Sequence, residues 1–415
     1  MIATPAQQLV ARGSRTEVPR RIHWRAVLLI CTATMLSMSA WFSASFIVTD
    51  LQALWNVPDS LTGYITFSLQ AGFIAGALVS ATFGLADKIG PRILFLTASI
   101  LAASLNALIL LAPTYAAAVV LRLLTGVALA GIYPVAIKEV LQWVRPANKG
   151  TATGLLIAAL TLGSAAPHLI SGLWATSWEG VIIVTSSTVT AGGLLFALGV
   201  PKRHSHQKTR GFSLGAAFKA FRNKNVRLAN YAYFGHMWEL YAMWTWVGLF
   251  LSSRAAELDP TLVSLTAFAV IGVGALGAGI AGPLGDKYGK GRIASTSLVI
   301  SGACAALTFL TPGWSFTAVA VLCAVWGFWV IADSGLLSSI LSDHCAPEHL
   351  GSVLTLQLAG GYAISGATIL LLPFLSSLLS WEHALPILAI GPALAVAALF
   401  GIKRKARVRD GEREA

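Results

Sequence analysis

The chain has 415 residues, of which 56% are hydrophobic and 11% are charged, and its formal net charge is +12. A soluble domain has about 25% charged residues, so this composition excludes an ordinary soluble protein. The apolar residues lie in repeated blocks of roughly 20, the length that crosses about 30 Å of hydrocarbon. The sequence therefore predicts an all-α membrane protein with many spans.

Twelve apolar blocks are predicted as transmembrane helices, and we number them spans 1 to 12. They cover residues 25–49, 61–82, 92–112, 117–140, 150–174, 180–200, 228–252, 262–285, 293–311, 316–341, 351–379 and 383–402. The predicted units are a basic tail, a six-helix bundle, a basic linker, a second six-helix bundle and a second basic tail, at residues 1–24, 25–200, 201–227, 228–402 and 403–415.

The basic residues orient the chain. With both termini in the cytoplasm, all of the 29 Lys and Arg except Arg122 and Arg254 lie on the cytoplasmic side, which is the positive-inside pattern. We therefore expect a multi-pass protein of the cytoplasmic (inner) membrane. The basic stretches are therefore interpreted as topology signals and as contacts with the lipid bilayer, and not as nucleic-acid-binding sites. No small-residue cleavage site follows the first apolar block, so no removable signal peptide is expected.

The loop after span 2 combines glycines, an acid and two cations in nine residues, Gly84-Leu-Ala-Asp-Lys-Ile-Gly-Pro-Arg92. A related stretch, Gly282-Pro-Leu-Gly-Asp-Lys-Tyr-Gly-Lys-Gly-Arg292, follows span 8, with Asp286 and Gly289 at an offset of 199 from their counterparts. Residues 146–150 and 347–351 form a second matching pair, each beginning with Pro and ending with Gly. Two halves of six spans are the signature of repeats related by an axis along the membrane normal.

These loops are where the chain resembles the major facilitator superfamily, and Pro91 departs from that family's usual basic residue. The resemblance implies two pseudo-symmetric six-helix bundles and a gating network of ion pairs at the cytoplasmic ends of the helices. Glu139 and Arg145, at the inner end of span 4, are assigned to the same gate. The predicted gating residues are Gly84, Asp87, Lys88, Gly90, Arg92, Glu139, Arg145, Asp286, Lys287 and Gly289.

Span 4 contains Arg122, followed four residues later by Gly126, which is similar to a second signature of the family. A permanently charged guanidinium cannot face lipid cheaply, so it needs a carboxylate, carbonyls or a substrate anion as its partner. In the family this Arg is often tied to proton coupling, and structural pairing is the alternative. His168 in span 5 is either a proton acceptor or a hydrogen-bonded residue of the helix packing.

Span 7 contains the most unusual stretch of the chain, YAYFGHMWELYAMWTW at residues 231–246. His236 and Glu239 are three apart, which makes them neighbours on one helix face. A carboxylate at the bilayer centre costs about 2.5–3.5 kcal/mol, so it normally faces a bundle interior or a wet cavity. We predict a substrate or proton site here, with Glu239 as the leading proton carrier. The alternative is that Glu239 only pairs with Arg122 or His236.

Span 10 contains the other buried acid, Asp333, which could coordinate a cation, accept a proton or hold a helix dipole. Aromatic and amide side chains in spans 1, 7 and 11 either face the cavity or pack. The predicted substrate or proton-binding residues are Arg122, His236, Glu239, Asp333, Tyr241, Trp244, Tyr362, Gln357 and Trp41.

No phosphate-binding P-loop, metal-ligand cluster or nucleophile–base pair appears in the sequence, so we expect no enzyme activity, no cofactor and no metal. We predict a monomeric secondary active transporter that moves a small organic solute by alternating access and is coupled to a proton or another ion. The alternatives are a proton/drug antiporter and a non-transporting receptor or assembly protein on the same fold. Arg122 points to an anionic substrate, whereas Glu239 and Asp333 would suit a cation.

Overall fold

The computed structural model describes residues 23–145, 148–174, 177–201, 213–255 and 257–402, apart from the side chains at positions 86, 87 and 347. Most of both predicted tails and much of the linker lie outside these residues. The described chain is almost entirely helical and folds into two bundles of six spans each.

The spans of the first bundle follow the predicted order, and two of them are broken. Spans 2, 3, 5 and 6 are the helices Tyr64–Phe83, Pro91–Ala107, Lys149–Trp174 and Trp178–Gly199. Span 4 is divided into Tyr115–Leu129 and Tyr133–Val140. Span 1 is divided into Trp24–Met38, Ser43–Phe46 and Val48–Trp55.

The second bundle repeats this order with its breaks at different places. Span 7 is one continuous helix, Lys224–Ser253, and spans 9 and 11 are Lys290–Leu307 and Pro347–Leu379. Span 8 is divided into Pro260–Gly272 and Gly274–Tyr288, and span 10 into Phe316–Val330 and Ser334–His344. Span 12 comprises Trp381–Ala384, a 3₁₀ turn and Ile390–Phe400. A short helix, Leu214–Phe221, precedes span 7.

Within the described residues, ten helices are long and apolar enough to cross a membrane, and they correspond to spans 2–6 and 8–12. Span 1 does not qualify because its first helix, Trp24–Met38, has only 15 residues before the break. Span 7 has 30 residues, about 45 Å at 1.5 Å per residue. Its length is ample, but its polar and aromatic residues lower its hydropathy. The first span of each half is thus the atypical one.

We call the side that carries the loops after spans 2, 4, 6, 8 and 10 the basic end, and the other side the opposite end. At the basic end, Gly90 and Gly289 immediately precede spans 3 and 9 with φ of 84° and 101°. Only glycine adopts these angles without strain, which explains why the repeated loop needs a glycine at this position.

Glycines also allow spans 2 and 4, and spans 8 and 10, to approach closely. A Cβ at Gly126 would lie 1.9 Å from the Leu69 carbonyl oxygen, and one at Gly327 would lie 1.8 Å from that of Val270. Small residues at such contacts are typical of membrane helices, because association there depends on close backbone packing. The two halves therefore share this contact as well as the loop.

The two bundles meet along spans 2 and 11 and along spans 5 and 8. At the opposite end, Gly63 lies against Ile369 and Gly172 against Leu265. At the basic end, spans 5 and 8 remain close at Gly154 and Ala278, whereas spans 2 and 11 border a cavity. The structure is thus closed at the opposite end.

Replacing Gly126 by Leu should destabilise the first bundle, because the added side chain overlaps the backbone of span 2. Overpacking of this kind costs about 1–3 kcal/mol or more. We expect a lower melting temperature for the detergent-purified protein and a lower yield. Gly279→Leu is the matched control, since a Cβ there meets nothing within 4 Å. Equal melting temperatures for the two variants would contradict the proposed contact.

Candidate functional site

The break in span 1 is stabilised by Arg122 of span 4. Helix Trp24–Met38 ends before Ser39, and the next helical turn begins at Ser43. The Arg122 guanidinium donates hydrogen bonds to two carbonyl oxygens in this break, those of Ala40 at 3.0 Å and Trp41 at 2.5 Å. In hydrocarbon such carbonyls cannot be satisfied by water, so Arg122 supplies the donors that the interrupted helix lacks.

The remaining partners of Arg122 are neutral side chains. It donates to Asn106 Oδ1 at 3.0 Å, and Asn106 in turn donates to Ser186 Oγ at 3.0 Å. Arg122 is fully buried, and no carboxylate contacts it among the described side chains. The sequence left a carboxylate, carbonyls or a substrate anion as possible partners of Arg122. The structure shows backbone carbonyls in this role, and Arg122 does not contact Glu239.

Glu239 is held entirely inside the second bundle. Its two carboxyl oxygens accept hydrogen bonds from Ser301 Oγ of span 9 at 2.9 Å and from Trp326 Nε1 of span 10 at 2.7 Å. The side chain is fully buried. Both donors are neutral, so any negative charge on Glu239 is stabilised by hydrogen bonds alone, without a cation in contact among the described side chains.

One helical turn away, His236 meets Asp333 of span 10, with 2.9 Å between Nδ1 and Oδ1. Both residues are buried. Asp333 lies in the break of span 10 and is the N-cap residue of helix Ser334–His344, where the helix dipole favours negative charge. His236, Glu239 and Asp333 thus lie on facing sides of spans 7 and 10, with each acid in a separate contact.

An aromatic cluster lies where the two bundles meet. Trp41 of span 1 packs on Tyr241 of span 7 and on Tyr362 of span 11, with centroid distances of 5.8 and 5.6 Å. The hydroxyls of Tyr241 and Tyr362 are 2.8 Å apart and hydrogen-bonded. Phe73 of span 2 contacts Trp41 at 5.1 Å, and Trp244 contacts Tyr241 at 5.6 Å. All five are buried, so they close the centre of the molecule.

Several buried N–H groups around this cluster have no hydrogen-bond partner among the described residues. Three belong to groups that can only donate, namely Trp41 Nε1, Trp244 Nε1 and Arg122 Nε. The amide nitrogens of Gln70 and Gln357 are also unpaired, while their oxygens accept from Ser365 and Ser338. Buried polar groups are normally paired. Next to the aromatic cluster the unpaired groups are thus mainly donors, while the acceptors Asp333 Oδ2 and Asn230 Oδ1 are also unpaired among the described residues.

A cavity of about 180 Å³ lies between spans 2, 4 and 11. Phe73 and Tyr362 of the aromatic cluster line it, and it reaches Gly84 in the loop at the basic end. Its wall is mostly apolar, and Lys138 is the charged residue among those that line it.

The sequence profile of the Major Facilitator Superfamily matches residues 30–356 and 240–415, which together cover nearly the whole chain. The chain belongs to the major facilitator superfamily. It is a multi-pass membrane protein of this family, and both the resemblance and the twelve-span, two-bundle fold expected from the sequence are confirmed.

Among curated relatives, the chain is 25% identical over 259 residues to the probable sulfoacetate transporter SauU of Cupriavidus necator, covering 57% of this chain and 60% of that protein. It is 23% identical over 234 residues to the inner membrane transport protein YnfM of Escherichia coli, covering 55% and 56%. The chain thus spans less than two thirds of either relative. The crystal structure of the human organic anion transporter MFSD10 (TETRAN) has a similar fold, with a TM-score of 0.68, 16% identity and coverage of 91% of this chain and 99% of that one.

The predicted gating residues all lie at the basic end. Arg92 donates to the Val200 carbonyl oxygen and so joins spans 3 and 6. Glu139 is buried and accepts a hydrogen bond from Gln142 at 3.0 Å.

The other predicted gating residues lie in or next to the basic loops. Asp286 is exposed, and Lys287 lies over the Tyr288 ring at 5.0 Å. Gly84 ends span 2 with φ of 61°, and Lys88 lies in the short helix Leu85–Ile89. Arg145 follows span 4, and the Asp87 side chain lies outside the described part.

The predicted site omitted five residues that the structure places in it: Asn106, Ser301, Trp326, Phe73 and Lys138. The first four lie on different spans from the charged or aromatic residues that they contact, so no local spacing indicates these contacts. Lys138 belongs to the site because it lines the cavity. His168 packs edge-on against Phe46 at 4.8 Å and lies against Gly248 of span 7.

Replacing Arg122 by Met should leave the Ala40 and Trp41 carbonyls and Asn106 Oδ1 with no donor from span 4. An unpaired buried acceptor costs about 1–3 kcal/mol, so we expect the melting temperature in detergent to fall by several degrees. Arg122→Lys keeps the positive charge but loses the planar guanidinium group. Its melting temperature should therefore lie between those of the wild type and Arg122→Met. Arg222→Met, at an exposed position, is the control. A melting temperature for Arg122→Met equal to that of the wild type would show that Arg122 does not hold the break.

Proposed function

We propose that this protein is a secondary active transporter that moves a small organic anion by alternating access, driven by protons that bind in the second bundle. The observation that carries the substrate class is the excess of buried donors around the aromatic cluster. Trp and Arg side chains donate and cannot accept, so a ligand that pairs with them must bring acceptor oxygens. A carboxylate or sulfonate provides several of these in a small volume.

The cavity supports the same substrate class. Its lining is mostly apolar and its charged residue is Lys138, which suits an anion with an apolar part. Arg122 adds a buried positive charge that contacts neutral groups only, as described above. Transporter sites of this kind lie near the midplane and are formed by broken helices, and spans 1, 4 and 10 are all broken near the centre.

The names of the relatives agree with an anionic substrate. SauU is described as a probable sulfoacetate transporter, and MFSD10 as an organic anion transporter. We therefore propose small organic anions as the substrate class.

Glu239 is the proposed proton carrier, with the His236–Asp333 pair as a second proton site. A buried carboxylate without a neighbouring cation is costly unless its hydrogen bonds are maintained. Its donors, Ser301 and Trp326, belong to spans 9 and 10. If span 7 shifts relative to these spans during the transport cycle, Glu239 loses donors and binds a proton instead. This links protonation to the rearrangement of the second bundle.

Glu239→Gln should abolish proton-driven accumulation while preserving exchange of labelled for unlabelled substrate, because exchange requires no net proton movement. The measurement is uptake into proteoliposomes under an imposed pH gradient, followed by counterflow without a gradient. Glu257→Gln, on the exposed loop between spans 7 and 8, is the control and should behave as wild type. Gradient-driven accumulation by Glu239→Gln at the wild-type level would refute the assignment of Glu239.

Organic anions should stabilise the purified protein in a thermal-shift screen, whereas organic cations of similar size should not. A ligand at a hundredfold excess over its Kd adds about 2.7 kcal/mol. Lys138→Gln should weaken the binding of the best anion about tenfold or more, since a hydrogen bond to a charged group contributes about 1.5–3 kcal/mol. Lys219→Gln, on the linker helix, is the matched control. A screen whose hits are all cations would overturn the proposed substrate class.

A further inference from the structure

A second and larger cavity lies apart from the one between spans 2, 4 and 11. It is an open groove of about 1600 Å³ at the basic end of the second bundle, bordered by the loop after span 8 and by spans 9, 10 and 12. It shares no lining residue with the cavity between spans 2, 4 and 11. Spans 9 and 12 touch deeper in the bundle, where Gly302 lies against Pro392. The groove is thus the space between their ends.

The groove is polar at its mouth and apolar farther along. Lys287, Lys290 and Arg292 line the mouth together with Phe400 at the end of span 12, while Val299 and Val396 line the deeper part. From Arg292 to the level of Ile300 the rise along span 9 is about 12 Å, which leads from the interfacial region into the hydrocarbon. Val299 is 56% exposed and Phe400 81% exposed, so the apolar wall is open towards the surrounding lipid.

The mouth carries a positive charge that is only partly neutralised. Lys290 pairs with Asp343, with 2.7 Å between Nζ and Oδ2, and Asp286 is the other acid among the lining residues. Arg292 is exposed and has no side-chain ion pair or hydrogen bond to any other described residue. Three cations against two acids leave a net positive mouth above an apolar wall.

The first bundle closes the equivalent place. There Arg92 of span 3 donates to the Val200 carbonyl oxygen at the end of span 6. With Gly90 matched to Gly289, the counterpart of Arg92 is Gly291, which has no side chain to reach span 12. Among the described residues of the second bundle, no side chain at this position makes the corresponding connection between spans 9 and 12. Arg292 is one residue farther along the helix and lines the groove instead.

We propose that this groove binds one anionic phospholipid of the adjacent leaflet. Its phosphate lies against Arg292 and Lys287, and an acyl chain follows Val299, Val396 and Phe400 between spans 9 and 12. Charge complementarity selects the headgroup, since basic residues at the membrane surface attract anionic lipids. The length and polarity of the groove select a molecule with a chain. The site is independent of the transported substrate.

The test uses delipidated full-length protein in detergent, titrated with phosphatidylglycerol, phosphatidylcholine or sn-glycerol 3-phosphate. Thermal shift and native mass spectrometry measure stabilisation and retained lipid. We expect one tightly retained phosphatidylglycerol, at least fivefold weaker retention of phosphatidylcholine, and no stabilisation by glycerol phosphate. Arg292→Gln should reduce phosphatidylglycerol retention at least fivefold, while Arg222→Gln, an exposed arginine outside the groove, should not.

A second variant tests the chain-binding part separately. Val396→Trp fills the apolar wall and leaves the charges unchanged, so phosphatidylglycerol retention should fall as it does for Arg292→Gln. Equal retention of the two phospholipids, equal losses in Arg292→Gln and Arg222→Gln, or full stabilisation by glycerol phosphate would each overturn the proposal.

Discussion

In hydrocarbon, a backbone carbonyl that leaves its helix has no water to replace the lost hydrogen bond, and each such group costs several kcal/mol. This constraint acts on span 1, which is interrupted between Met38 and Ser43. Arg122 donates hydrogen bonds to the carbonyls of the break, and these carbonyls in turn provide acceptors for its buried charge. Two costly features of the first bundle, a broken helix and a buried cation, thus compensate each other.

The break also positions the centre of the molecule. Because the helix ends at Met38 and the next turn begins only at Ser43, Trp41 can present its carbonyl to Arg122 and its ring to Tyr241 and Tyr362 of the second bundle. The same residue therefore connects the charge network of the first bundle to the aromatic cluster between the bundles. A change in the position of span 1 would be transmitted to both.

The two halves share their helix order, their close glycine contacts and their repeated loops, yet they differ chemically. The first bundle buries a cation among carbonyls and amides, and the second buries two acids and a histidine on spans 7 and 10. Span 7 is continuous where span 1 is broken. Pseudo-symmetry thus supplies the scaffold, and side-chain differences within it give each bundle a separate part in the proposed mechanism.

The sequence by itself determined the class of molecule, the number and order of the spans, the duplication and the buried position of the charged residues. These features depend on local hydrophobicity and on short repeats, which are visible along the chain. Only the tertiary structure decided the partners. The sequence allowed a carboxylate as the partner of Arg122, whereas in the structure the carbonyls in the break of span 1 accept its hydrogen bonds. Glu239 could have met Arg122, but Ser301 and Trp326 lie closer within its own bundle. Such contacts depend on how helices that are distant in sequence pack together, and a local sequence pattern does not predict that packing.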